Sequence, residues 1–147
     1  MDRDGFLDGQ GCPVGEQSMI ETIRSVYTAF GSGDVPGILA RLGDDVDWAS
    51  ETSSTAAPWY GVRHGKAEVA EFFEQFGSTM AVEEFTPVSF AANDTDVLTV
   101  VRMRATHRAS GTRLAMDLHH RFTFRDGKIV HYRGTEDTAQ TEAAFRS

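Results

Sequence analysis

A chain of 147 residues, 40% hydrophobic and carrying ten Phe, three Tyr and two Trp, can build one domain with a real core, and wholesale disorder is excluded. Fourteen Lys and Arg against 22 Asp and Glu leave a formal charge of −8, which disfavours nucleic acid and anionic membrane surfaces as partners. No run approaches the roughly 20 apolar residues of a membrane span, the start MDRDGFLDGQGCPVG lacks the order of a secretory signal, and the single Cys12 excludes an intrachain disulfide, so the expected setting is the cytoplasm.

Residues 1–17, rich in Gly, with Pro13 and no period, read as a flexible N-terminal arm, and residues 18–147 as a single domain. Ser18 and Glu21 have capping-box spacing, and Ile20, Ile23, Tyr27 and Phe30 mark one face of a first helix, stopped by Gly31 and Gly33. Asp34 is placed to cap a second helix with Pro36 in its first turn and Ile38, Leu39 and Leu42 on its apolar side. A short strand over residues 46–49 follows, then a small polar stretch ending at Pro58-Trp59-Tyr60-Gly61. A third helix spans about 66–77, with Val69, Phe72, Phe73 and Phe76 in helical spacing.

The remainder reads as strands: 86–91, where Pro87 favours an edge or an end, then 97–107, 114–125 and 128–135. Asp126-Gly127 is a hairpin signal between the last two, and Asp137 with Gln140 resembles the cap of a tail helix. Helices ahead of a long, mostly antiparallel sheet give an α+β class.

Alternation on the 114–125 strand is clean. Met116, Leu118, His120, Phe122 and Phe124 share one face; Asp117, His119, Arg121, Thr123 and Arg125 share the other. The first set must face the helices, which makes His120 the one titratable group on an apolar surface. Two readings stand for it: a structural histidine bonded to a carbonyl or a Tyr, or an acid, base or donor in a ligand cavity, held neutral by burial. On the neighbouring strands Met103 and Tyr132 are assigned to the same inner side, with Val130 and Gly134 sharing Tyr132's face. Glu136 has the parity to join them if the last strand continues that far.

The ordered motifs Tyr27-x-x-Phe30-x-x-Gly33-Asp34, Leu42-x-Asp44-Asp45-Val46-x-Trp48, Pro58-Trp59-Tyr60-Gly61 and His120-x-Phe122-Thr123-Phe124-Arg125-Asp126-Gly127 resemble the SnoaL-like group of the nuclear transport factor 2-like superfamily. The resemblance covers about residues 19–145. It implies a cone-shaped fold, with N-terminal helices packed on a curved, mostly antiparallel sheet around a pocket, and homodimerisation through the outer face of the sheet. Family members include polyketide cyclases, ketosteroid isomerases, epoxide hydrolases, dehydratases and non-enzymatic domains.

SnoaL-like cyclases pair a histidine with an acid fourteen positions later. His120 matches the histidine, and the acid's place falls on Gly134. Adjacent His119 and His120 lie on opposite faces, so no metal is expected, and no cofactor motif is present.

Three readings follow. The first is an acid–base enzyme of the isomerase, cyclase or hydratase type acting on a small hydrophobic ring molecule, polyketide- or steroid-like. It uses His120, helped by Glu136, in an apolar pocket shaped by Tyr27, Trp48, Trp59, Met103, Met116, Phe122 and Tyr132. The second is a binding domain with the same cavity and no chemistry. The third is a dimeric interaction module.

Overall fold

Ser18 does not cap the first helix. In the computed structural model, which describes residues 14–147, that helix is α1, Val14–Gly31, and the Ser18 carbonyl accepts from Thr22 Oγ1 at 3.2 Å as an ordinary mid-helix group. The first thirteen residues of the expected arm, Cys12 among them, lie outside the described residues; the last four begin α1. Ile20, Ile23, Val26 and Tyr27 form its buried stripe.

Asp34 caps α2, Val35–Leu39, as its spacing predicts, accepting from the Gly37 N–H at 3.0 Å. Leu42 belongs not to this helix but to the first strand, β1, Leu42–Ser50. A two-residue strand, β2, Arg63–His64, leads into α3, Gly65–Thr79, which buries Val69 and Phe72. Then come β3, Met80–Ala92; β4, Asp96–His107; β5, Arg113–Arg125; β6, Lys128–Thr135; and α4, Thr138–Arg146. The sheet order is β2-β1-β6-β5-β4-β3, antiparallel throughout except for the parallel β1–β6 pair.

β3 is twice the length its alternation suggests, because register shifts near Glu83 and Val88 break the period of two on this edge strand. A similar irregularity in β6 sets Ile129 opposite Phe124, so Ile129 is the residue buried and Val130 only half-buried. That corrects the simple parity, which put Val130 inward. The β5–β6 turn uses Asp126 and Gly127 at φ 53° and 77°, the left-handed pair that a two-residue hairpin needs.

Asp137 precedes α4, but its carboxylate accepts from the Gln140 side chain at 3.0 Å and does not cap the helix main chain. Gln140 also bonds the Ala115 carbonyl and N–H at 2.9 and 3.1 Å, where β5 runs on past the end of β6. Among the described residues, no helix is long and apolar enough to cross a membrane.

Candidate functional site

Pairing register draws one line across five strands on the inner side of the sheet: Phe90, Thr99, His120, Gly134 and Ser50 stand opposite one another in turn. α1 lies across this line and sets the Tyr27 hydroxyl between Thr99 Oγ1, at 2.6 Å, and His120 Nδ1, at 2.7 Å. Nothing local in the sequence joins residues 27, 99 and 120. Only the register does.

His120 is 8% exposed. Burial, with a smaller push from His119, drives its pKa down to about 3, so the ring is neutral at physiological pH. Burial likewise raises the Tyr27 phenol, which stays protonated. With Nδ1 engaged, Nε2 has no hydrogen-bond partner among the described residues. The triad has two proton arrangements that need no movement of heavy atoms. If Tyr27 donates to Nδ1, Nε2 carries the proton and is a donor. If Nδ1 donates to Tyr27, the phenol turns to Thr99 and Nε2 is an acceptor.

The place of the absent side chain at Gly134 is occupied. A Cβ there would fall onto the Tyr132 hydroxyl and lie 3.1 Å from His120 Cδ2. The Tyr132 ring is fixed by stacking on Trp48, with centroids 4.0 Å apart, and burial foremost keeps its phenol well above the ordinary range. A phenol therefore stands beside the imidazole where the resemblance leads one to seek an acid.

Glu136 lies just beyond β6 and does reach the cavity wall. Its Oε2 accepts from Tyr60 Oη at 2.8 Å and Thr141 Oγ1 at 2.6 Å, which ties the 57–62 loop and α4 to the end of β6.

The cavity in front of His120 has a volume of about 70 Å³. Of the residues expected to shape it, Tyr27, Trp48, Trp59, Phe122 and Tyr132 are walls. Met103 and Met116 are not. They are buried and face each other across β4 and β5, further along the sheet from His120 than the cavity extends. Trp59 is 2% exposed and packs edge-on against Phe76, with centroids 4.9 Å apart. It is a fixed wall of the cavity. The Trp48 indole N–H is buried without an acceptor among the described residues.

Sequence reasoning missed Phe30 and Phe85 as walls. Helical spacing marked Phe30 only as core, and the bulges of β3 hid the facing of Phe85. Among the described residues, no three His, Cys, Asp or Glu side chains come together in a way that could hold a metal ion.

A family model described as the SnoaL-like domain matches residues 23–132. An NTF2-like protein of unknown function from Burkholderia pseudomallei has a solved structure that superposes with a TM-score of 0.81 at 24% identity, covering 88% of this chain and 98% of that one. TerC, co-crystallised with polyporic acid, superposes with a TM-score of 0.76 at 25% identity, over 88% and 99% of the two chains. A candidate polyketide cyclase from Xanthomonas campestris shares the fold at a TM-score of 0.71 and 17% identity, over 89% and 98%. No curated protein matches the chain. The helices and six-stranded curved sheet are thus those of the cone-shaped α+β fold of NTF2-like proteins.

Proposed function

The chain belongs to the SnoaL-like domain family, and on that footing we propose that it binds a small hydrophobic ring molecule against His120, whose neutral imidazole is placed to give or take a proton. The observation that carries this reading is the Thr99–Tyr27–His120 chain. It spends Nδ1 on a phenol and leaves Nε2 free of protein partners on the wall of an apolar cavity. A structural histidine would be bonded to a Tyr in the same way; what favours a proton-transfer or binding group is that the ring is held neutral and its Nε2, on the cavity wall, is left without a partner among the described residues in either tautomer. TerC's co-crystallisation with polyporic acid supports a small-molecule site in this fold at this level of identity.

The mechanism follows from the donors. In the tautomer whose Nδ1–H donates to Tyr27, Nε2 takes a proton from the bound molecule to give a transient imidazolium and returns it at another atom of the same molecule, so that the ring ends neutral as it began. Tyr132, its phenol held protonated, offers a donor beside the imidazole. That donor favours a ligand bearing an oxygen.

A binding role without turnover is the second reading. It is favoured by Glu136, whose Oε2 is already committed to Tyr60 and Thr141. Phenol is the simplest probe of the shared premise. Its addition is expected to shift the His120 imidazole resonances in a saturable way, and His120→Ala is expected to weaken phenol binding about tenfold. Resonances that stay put at saturating phenol, in the wild type and in Phe85→Ala, whose cavity is enlarged, would sink both readings.

A further inference from the structure

The cavity beside His120, at about 70 Å³, is far below the roughly 300–1,000 Å³ of pockets that hold drug-sized ligands, and below the roughly 150 Å³ of a cavity known to hold benzene. A second hollow of about 460 Å³ lies on the other side of Phe30, Phe73, Phe76 and Phe85, between the C-terminal halves of α1 and α3 and the start of β3. These four rings, with Ile38, line both spaces and so form the partition between them.

The partition is the least anchored part of the wall. All four rings are only half-buried, whereas Tyr27, Trp48, Trp59, Phe122 and Tyr132 are buried. Phe85 sits on the edge strand between the irregularities near Glu83 and Val88, tilted at 46° against Phe30 with centroids 4.5 Å apart and with its own centroid 6.3 Å from that of His120. Displacing half-buried rings forfeits less buried apolar area than displacing the fully buried ones behind them.

We infer that the cavity and the hollow form one two-chamber site for an elongated aromatic ligand of two or more rings. Its first ring meets His120, and its remainder crosses the displaced phenylalanines to lie between α3 and β3. This rests on the reading of His120 given above and adds the shape of the ligand to it. Gly77, on the wall of the outer chamber, has nothing within 4 Å of where its Cβ would stand. A leucine there adds bulk at the wall of the outer chamber, away from the residues that line the inner one, and replacing a helical glycine does not endanger the fold.

The test is calorimetric titration with phenol and with 4-phenylphenol, a linear two-ring probe. Wild-type protein is expected to bind 4-phenylphenol about tenfold more tightly than phenol. Gly77→Leu is expected to remove that tenfold gain while leaving phenol within about twofold. Phe85→Ala, which opens the partition, is expected to strengthen 4-phenylphenol several-fold. Equal affinity for 4-phenylphenol in wild type and Gly77→Leu overturns the two-chamber site, as does wild-type protein that takes phenol and refuses the longer probe. Phenol that leaves the His120 resonances unmoved even in Phe85→Ala, where the partition is open, overturns the underlying reading instead, so the two failures are told apart.

Discussion

Gly134 and Tyr132 stand two apart on β6 and so project to the same side, where the larger leans over the smaller. Because the Tyr132 ring is clamped flat on Trp48, a methyl group at 134 cannot push it aside cheaply. Gly134→Ala is expected to cost about 1–3 kcal/mol in urea unfolding, in the range of overpacked cores. In Tyr132→Phe, which removes the atom that such a methyl meets first, the added cost of Gly134→Ala is expected to fall; independent, additive effects would contradict the contact. Both residues were assignable to the inner side from alternation alone. That one fills the other's place was not, since it depends on the lean of a ring set by Trp48 on a different strand.

Elements with an unbroken period were legible nearly to the residue, as β5 and the second helix's Asp34 cap illustrate. Where the main chain departs from a strict period the reading failed. The first half of β3 was invisible because Glu83 and Glu84 interrupt the apolar alternation and a bulge shifts it. Val130 was turned inward for the same reason. β2 is two residues held only by pairing with β1, too short to leave a pattern. The tail helix was found from Asp137 and Gln140, but the work of Gln140 is different from that of a cap. Its amide satisfies both main-chain groups of Ala115, taking the place of a missing strand. Gln140→Ala is expected to destabilise the fold by about 1–2 kcal/mol, for two lost bonds, and to speed hydrogen exchange at the Ala115 amide. Unchanged exchange at that amide would show that the docking is not needed.

For the molecule as a whole, His120 makes stability depend on pH. Its folded pKa is about 3, below the roughly 6.5 of an exposed histidine, so between these values the unfolded chain binds a proton that the folded one refuses. Stability is therefore full above about pH 6.5 and falls as pH drops toward 3. Between pH 7 and 5 the wild-type protein is expected to lose about 2 kcal/mol more than His120→Gln, measured by urea unfolding at each pH. Parallel pH profiles for the two proteins would mean that the ring is not held neutral. That His120 faces inward was plain from the sequence. The size of the space before it was not, because cavity volume is the small remainder left by many side chains, here mostly phenylalanines whose half-burial no periodicity conveys.

The parallel pairing of β1 with β6, Ser50 opposite Gly134, has a consequence for how the polypeptide is made. While a ribosome is extending this chain, the early strand waits for a neighbour encoded 84 residues further on, and its apolar side has no sheet to join. The antiparallel run from β3 to β5 can zip as it emerges, but the cone closes only when the last hairpin is released. Nascent molecules thus pass through the interval between β1 and β6 with Trp48 and then the phenylalanines of α3 uncovered, which is when a chaperone would find them.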